Sequence, residues 1–125
     1  MNSALLILVH GSRAEGSQKM VFEIAEKLKR KGEYQDVEVA YLQFNHPDLA
    51  ESVERLVENG IAEIITVPAF LFQGIHVIKD IPMELKKVKD RYPKVRIALA
   101  NPIGYDDRIC DVISDRAKGR LIEIC

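Results

Sequence analysis

Three histidines are the residues of this chain best suited to chemistry, and each follows shortly after an apolar run. His10 and His46 come within a few residues of such runs, and His76 follows a third run after an apolar loop. Imidazole is the commonest neutral ligand for borderline divalent metals such as cobalt, nickel, iron and zinc. A neutral imidazole also accepts a proton near neutral pH. The histidines are therefore candidates for metal binding and for proton transfer.

Each histidine has an alternative interpretation as an ordinary surface or capping residue. His46 precedes Pro47 and is interpreted first as a residue at the start of a helix. His10 and His76 follow runs that we expect to form neighbouring strands, so together they favour a shared site. Two imidazoles without thiolates or a dense carboxylate cluster form an incomplete, open site. Such a site suits a metal that is passed on rather than one held for structure.

The loop before His76 is apolar where a connecting loop is normally polar. It contains Phe70, Leu71 and Phe72, followed by Gly74. One interpretation is that these side chains pack under the sheet edge as core. The other is that they form a wall for a flat apolar ligand, with Gly74 providing a turn that lets the ligand approach the backbone. Neither interpretation excludes the other.

Ser12 and Arg13 follow His10 and Gly11 in a predicted turn before a helix. Exposed backbone N–H groups and a guanidinium at such a turn favour anions. The alternative is that Ser12 only caps the helix and that Arg13 is solvated. The segment lacks the GK[ST] of a P-loop and also lacks GxGxxG, so it carries neither nucleotide-binding motif.

Short apolar runs alternate along the chain with amphipathic helical patterns. The runs that predict buried strands are residues 4–9, 37–42, 64–67 and 95–99. The helices are predicted to start at a Ser17 cap, with Pro47 in a first turn, near Asp80 with Pro82 in the first turn, and before Ile109, Val112 and Ile113. This order predicts an α/β fold, a single-domain doubly wound four-stranded parallel sheet with helices on both faces. Ligands bind such sheets beyond the carboxyl ends of the strands, where all three histidines are expected.

Composition indicates one ordinary globular domain and excludes some partners. Of 125 residues, 47% are hydrophobic and 30% charged, which predicts one domain over residues 1–125. Residues 121–125 are expected to form either a docked short strand or a frayed end. A formal net charge of -1 supplies none of the basic field that nucleic-acid binding needs. No run approaches the roughly 20 apolar residues of a membrane span, and the isolated Cys110 and Cys125 favour a reduced, cytoplasmic setting.

Three segments resemble one known family, in the same order and at the same spacing. They are residues 6–13 (LILVHGSR), 41–47 (YLQFNHP) and 67–82 (VPAFLFQGIHVIKDIP). Together they resemble the small class II chelatases, which are the sirohydrochlorin cobaltochelatases of the CbiX type and their iron- and nickel-inserting relatives. HGSR alone is a weak signal, whereas its combination with PxFLxxGxHxxxDIP is specific. The similarity extends over essentially the whole chain.

The resemblance implies a lyase that inserts a divalent metal into the tetrapyrrole sirohydrochlorin, in cobalamin or related biosynthesis. It implies that His10 and His76 bind the metal and accept protons. The metal is then a substrate, with cobalt expected first and nickel or iron as alternatives, and no cofactor is tightly bound. Small family members pair as homodimers around one cleft. The residues expected to bind the substrate are Ser12, Arg13, Gln43, Phe70, Leu71, Phe72 and Gly74.

One position departs from the family, and two other functions stay open. Many relatives carry Glu in the segment that reads Leu42-Gln43-Phe44 here, and an amide cannot act as a base or an anionic ligand. One alternative function is a non-catalytic tetrapyrrole or metal carrier on the same fold. The other is a hydrolase that uses Ser12 with a histidine base, although GxSxG is absent. Imidazole ligation does not choose among cobalt, nickel and iron.

Overall fold

A computed structural model describes residues 2–14, 16–71 and 74–124, with the backbone alone described for residues 75–78. The described chain contains β1 (Ser3–Val9), α1 (Ser17–Arg30), β2 (Asp36–Tyr41), α2 (Leu49–Glu58), β3 (Glu63–Pro68), α3 (Ile75–Arg91), β4 (Arg96–Leu99) and α4 (Asp107–Lys118). Strands and helices alternate as the sequence pattern predicts. None of the helices described is long and apolar enough to cross a lipid bilayer.

The four strands form one parallel sheet in the order β2-β1-β3-β4. In the register of this sheet, Leu6 of β1 lies opposite Glu38 of β2 and Thr66 of β3. The predicted fold, a four-stranded parallel sheet in a doubly wound α/β domain, is confirmed. Because β1 is flanked by β2 and β3, the strand that precedes His10 is the neighbour of the strands that precede His46 and His76.

The two faces of the sheet are covered to different extents. On one face, α2 packs against β2 and β1 and α3 packs against β4, and Leu6, Leu8 and Ile64 of this face are fully buried. On the other face, α1 packs over β1 and β2, where Leu5 and Ile7 are buried with Ala25 of the helix. This two-sided burial explains why β1 is a continuous apolar run without polar alternation.

The start of α3 differs from the prediction. We expected a helix from near Asp80 with Pro82 in its first turn, whereas α3 begins at Ile75 and contains Pro82 in its interior. An interior proline removes one backbone hydrogen bond and crowds the preceding turn. Ile81, Leu85 and Val88 are buried against the core, and their burial offsets this cost. The earlier start places His76 in the first turn of α3 rather than in a loop.

Two other helix starts also differ by one or two residues. Ser17 is the first residue of α1, and the N-cap is Gly16, whose φ of 82° glycine adopts without strain. Pro47 lies outside α2, because Asp48 is the N-cap of that helix. The Asp48 carboxylate accepts a hydrogen bond from the Glu51 N–H at 2.9 Å, and the Glu51 carboxylate accepts one from the Asp48 N–H at 2.9 Å. This capping box determines where α2 begins.

The end of the described chain contributes little to the core. Residues 120–124 have no regular secondary structure and are exposed, so the described part of the tail does not form the docked strand that was one of our two expectations. The last helix, α4, has no buried residue. The α4 helix therefore adds no buried side chain to the described core.

Candidate active site

His10 lies at the carboxyl end of β1 and is exposed. Its ring stacks on the ring of Phe70, with 4.1 Å between centroids and an interplanar angle of 26°. Phe70 follows β3 and is only 4% exposed, so the core interpretation applies to this side chain. Leu71, the next residue, is 48% exposed and is available to a ligand. Phe70 therefore holds the His10 ring in place, and the apolar loop supplies both a support and an accessible wall.

His76 lies in the first turn of α3, which follows β3 directly after this loop. Because β3 pairs with β1, the backbone at His76 lies at the same sheet edge as His10. The His76 side chain and the whole of Phe72 fall outside the described part of the chain. The two sequence segments therefore both lie beyond the carboxyl ends of neighbouring strands.

The turn after His10 approaches the loop after β2 very closely. The Gln43 N–H donates to the His10 carbonyl at 3.0 Å, which continues the ladder between the two strands. Gly11 has a φ of 94°, and a Cβ atom built on it would lie 1.8 Å from the Gln43 carbonyl oxygen. No side chain fits at this position. Gly11, and not Gly74, is the glycine that the local backbone requires.

Gly74 was expected to provide a special turn, and the structure corrects this. Its φ of -72° and ψ of 158° are extended values that any residue adopts, and it serves as the N-cap of α3. A Cβ atom built on Gly74 meets nothing within 4 Å. The absence of a side chain keeps the start of α3 open, but no left-handed turn is needed there.

Asn45 holds the two loops together and was missed by the sequence analysis. Its side-chain oxygen accepts a hydrogen bond from the Ser12 N–H at 2.7 Å. The Ser12 hydroxyl oxygen in turn accepts one from the Ala14 N–H at 3.0 Å, so it stabilises the turn. No described histidine is bonded to Ser12, and nothing in this geometry favours the hydrolase. Asparagine is common in turns, but its partner 33 positions away leaves no local signal in the sequence.

Arg13 is positioned by a second residue that the sequence analysis missed. The Arg13 guanidinium carbon lies 4.5 Å from the centroid of the Phe44 ring, a cation–π distance. Phe44 has a positive φ of 69°, which turns this part of the loop toward Arg13. The neighbouring Gln43 is exposed at the same edge. The arrangement keeps a cation and an amide beside His10, where an anionic ligand can meet them.

His46 is engaged at the start of α2, as the helix-start interpretation predicts. Its Nδ1 lies 2.6 Å from Oε1 of Glu51. The hydrogen bond to Glu51 and the charge of that carboxylate raise the pKa of His46. The pKa of Glu51 is lowered, chiefly by the backbone N–H of Asp48 and then by His46. His46, Asp48 and Glu51 are all exposed, and their ligand atoms lie within 4.8 Å of one another.

The amino-acid sequence matches one protein family over most of its length. The CbiX family model matches residues 4–120. A sirohydrochlorin cobaltochelatase of Methanocaldococcus jannaschii is 34% identical, over 94% of this chain and 99% of that protein. One of Sulfolobus acidocaldarius is 37% identical, over 94% of this chain and 91% of that protein. The chain belongs to the CbiX family.

The fold of this CbiX chain is also found in a solved chelatase. The sirohydrochlorin chelatase SirB from Bacillus subtilis subspecies spizizenii, in complex with cobalt, superposes with a TM-score of 0.87 at 30% identity. The match covers 94% of the CbiX chain and 50% of SirB. The CbiX chain thus corresponds to one half of that longer protein.

The helix N-termini of the CbiX chain fall into two kinds. Those of α2 and α4 are capped by the carboxylates of Asp48 and Asp106. Those of α1 and α3 have glycine at the N-cap and no side-chain cap. The two uncapped helices are the ones that follow β1 and β3, the strands beside the candidate site. Free backbone N–H groups and the positive end of the helix dipole favour anions there.

We predict that Glu51→Gln lowers the pKa of His46 toward its ordinary 6.5. Glutamine keeps the capping box and removes the charge. Because folding raises the pKa of His46, the His46–Glu51 pair stabilises the folded protein at pH values below the pKa of 6.5 that histidine has in the unfolded chain. This stabilisation is lost as the pH rises through the higher pKa that His46 has in the folded protein. Histidine proton chemical shifts followed against pH measure the change.

A second variant tests whether His46 has a role in the site. His46→Ala should change the rate of metal insertion by less than about threefold, which corresponds to about 0.65 kcal/mol of activation free energy. A larger loss in a folded His46→Ala protein, with Glu51→Gln unaffected, would place His46 in the site.

Proposed function

We propose that this chain is a sirohydrochlorin chelatase that inserts cobalt into its substrate, with nickel and iron as slower alternatives. The observation that carries the proposal is a CbiX-family chain in which His10 and the first turn of α3, which contains His76, follow neighbouring strands at their carboxyl ends. Relatives named as sirohydrochlorin cobaltochelatases match over nearly their whole length, which favours cobalt. The metal is a substrate in this proposal, and no cofactor is resident.

The proposed roles of the two histidines follow from the proton balance of the reaction. A divalent metal replaces two protons on the pyrrole nitrogens, so two protons must leave the macrocycle. An imidazole nitrogen has one basic lone pair, which binds either a metal ion or a proton. In our proposal, His10 and His76 hold the metal, and each nitrogen that releases it becomes free to accept a pyrrole proton. One pair of His10 and His76 therefore supplies enough basic nitrogens for the two protons.

The substrate is a tetrapyrrole that carries many carboxylates, and the site edge offers groups that suit them. Arg13 is held beside His10 by Phe44, and a guanidinium binds a carboxylate with two parallel hydrogen bonds. The uncapped N-termini of α1 and α3 supply further N–H donors. Leu71 presents apolar surface for the macrocycle. We propose that these groups bind the propionate and acetate arms around the ring.

We further propose that the active form is a homodimer in the cytoplasm. The match to one half of SirB means that two copies of this chain would supply the length of that protein. A tetrapyrrole is usually buried over most of its surface, and one open sheet edge offers too little wall for this. The cytoplasmic setting is proposed from the two isolated cysteines.

The proposal is tested by measuring initial rates of metal insertion under anaerobic conditions. Purified protein is mixed with sirohydrochlorin and, in separate reactions, with Co²⁺, Ni²⁺ or Fe²⁺, and the change in the absorption spectrum of the macrocycle is followed. We expect each rate to exceed that of the protein-free reaction, with Co²⁺ fastest. Rates equal to the protein-free reaction with all three metals would contradict the proposed function.

A further inference from the structure

Phe44 has an unusual backbone conformation for an aromatic residue. Its φ is 69°, and among the residues that the structure describes it is the one non-glycine residue with a positive φ. A left-handed φ is a genuine outlier for a bulky side chain, because the Cβ atom crowds the backbone. Asparagine tolerates this conformation better, and Asn45 stands at the very next position. The sequence therefore places the less suitable of the two residues at the strained position.

The strained backbone forms a three-residue turn that is anchored at both ends to the segment after β1. The Asn45 N–H donates to the Gln43 carbonyl at 2.9 Å, across Phe44. A hydrogen bond between residues i and i+2 with a positive φ between them is the pattern of the rare and strained form of the γ-turn. The Gln43 N–H also donates to the His10 carbonyl, and the Asn45 side chain accepts from the Ser12 N–H. The fold therefore holds Phe44 in this turn from both ends.

Burial in the core does not explain the Phe44 side chain. The residue is 54% exposed and belongs to neither buried cluster of the described chain. A single exposed aromatic ring is ordinary on a protein surface, but here the exposure occurs together with a strained backbone. Strain of this kind persists where the surrounding structure imposes it, and it is concentrated at functional sites. The conformation thus indicates that the ring serves a function rather than the stability of the fold.

One face of the Phe44 ring is covered, and the rest of the ring is accessible. The Arg13 guanidinium carbon lies over the ring, 4.5 Å from its centroid. The exposed surface of the ring therefore lies on its edge and on the face opposite Arg13. The turn that carries the ring is bonded directly to His10, because the Gln43 N–H donates to the His10 carbonyl at 3.0 Å. An open aromatic face is thus held beside the candidate active site.

We propose that the open face of the Phe44 ring stacks on the tetrapyrrole macrocycle, and that the strained turn holds the ring in position for this contact. The proposal rests on the proposed function, because it names one contact between the chain and sirohydrochlorin. A flat conjugated macrocycle presents a π-face on which an aromatic side chain can stack. The loop is then less stable than it would be with a residue suited to a left-handed φ. Removal of the ring should therefore stabilise the protein and weaken substrate binding.

Phe44→Asn tests both parts of the proposal, because asparagine tolerates the left-handed φ and removes the ring. We expect the dissociation constant of metal-free sirohydrochlorin to rise at least about 10-fold. The Tm of the ligand-free protein should rise by about 3 °C, because the strain is relieved. Phe44→Tyr keeps both the ring and the strain, so it should bind within about threefold of the wild-type protein. Anaerobic spectroscopic titration measures binding, and circular dichroism measures Tm.

Phe22→Asn is the matched control for the loss of an exposed aromatic ring. Phe22 is 63% exposed and lies within α1, where its backbone is helical and unstrained. The same substitution at this position should leave the dissociation constant of sirohydrochlorin unchanged and should not raise the Tm. A rise in both quantities is therefore expected at Phe44 and not at Phe22.

A double substitution separates the ring itself from its effect on Arg13. Phe44→Asn also releases the Arg13 guanidinium, so the binding measurement is repeated in an Arg13→Gln background. We expect Phe44→Asn to weaken sirohydrochlorin binding at least about fivefold there as well, because the ring contacts the macrocycle directly. Loss of the effect in that background would mean that Phe44 acts only through Arg13, and it would overturn the stacking.

Two further outcomes would overturn the proposal and leave the proposed function standing. One is a Phe44→Asn protein that binds sirohydrochlorin as tightly as the wild-type protein. The other is a Phe44→Asn protein with a lowered Tm, which would show that the ring stabilises the fold. Because binding is measured without metal, a wild-type protein that binds sirohydrochlorin but inserts no metal would contradict the proposed function alone. A wild-type protein that does not bind sirohydrochlorin would overturn both.

Discussion

Replacement of His10 or His76 by alanine is expected to lower the rate of metal insertion by about 10²–10⁴-fold each, the usual contribution of a positioned acid–base group. Loss of a metal ligand would add to this effect. His10 is exposed, and its main described contact is the stack on Phe70, so His10→Ala should remain folded. Rates are compared with the wild-type protein at saturating sirohydrochlorin and cobalt.

The controls for this pair come from the third histidine and from the ring that supports His10. His46→Ala is the matched control, because it removes an exposed imidazole from the same sheet edge. Phe70→Leu, which removes the stacking ring but no lone pair, should lower the rate less than His10→Ala. A folded His10→Ala or His76→Ala variant, judged by circular dichroism, with near-normal turnover would mean that this histidine has no role in the reaction.

The second large effect is expected for Gly11→Ala. A left-handed φ costs a non-glycine residue about 1–3 kcal/mol, and Gly11 has a φ of 94°. The new methyl group would also meet the Gln43 carbonyl, so the bonds Gln43 N–H to His10 and Ser12 N–H to Asn45 must be strained or broken. Each such bond contributes about 0.5–1.5 kcal/mol. We expect the free energy of unfolding to fall by about 3 kcal/mol or more.

The same substitution should displace the site. A shift of about 1 Å in a catalytic group costs about 10²-fold in rate, and Gly11 is adjacent to His10. Gly60→Ala is the control, because Gly60 has a similar φ of 83° and open space around its Cβ position, far along the chain from the site residues. It should lose about 1–2 kcal/mol and keep its activity. Urea denaturation measures both variants, and equal losses of stability would show that the contact with Gln43 is unimportant.

The fold was predictable from sequence because each element carries its own signal. The unbroken apolar run of β1 indicates a strand buried on both faces, and the alternation of runs and amphipathic segments indicates parallel pairing. The start of α3 was not predictable. Proline is normally tolerated only in the first turn of a helix, which suggested a start near Asp80, whereas the burial of Ile81, Leu85 and Val88 in the core is seen only in the folded protein. In α4 the amphipathic pattern was clear, but none of the residues of this helix is buried in the described chain.

The candidate site was predictable in part. The placement of His10 and of the His76 segment at one edge follows from strand topology, which the sequence pattern contains. Asn45 and Phe44 were missed, because their contacts with Ser12 and Arg13 form only when two loops meet in the fold. Both interpretations of the apolar loop apply, because Phe70 is buried in the core and Leu71 is exposed and accessible to a ligand.

In our proposal, the sheet edge that carries His10 and His76 catalyses metal insertion rather than only binding the metal and the tetrapyrrole. An enzyme and a non-catalytic carrier differ in the amount of product formed per protein chain when sirohydrochlorin and Co²⁺ are both in large excess. We expect the cobalt product to accumulate linearly to many equivalents per chain, at a rate proportional to protein concentration. Product formation that stops at one equivalent or less per site would contradict catalysis and identify the chain as a carrier.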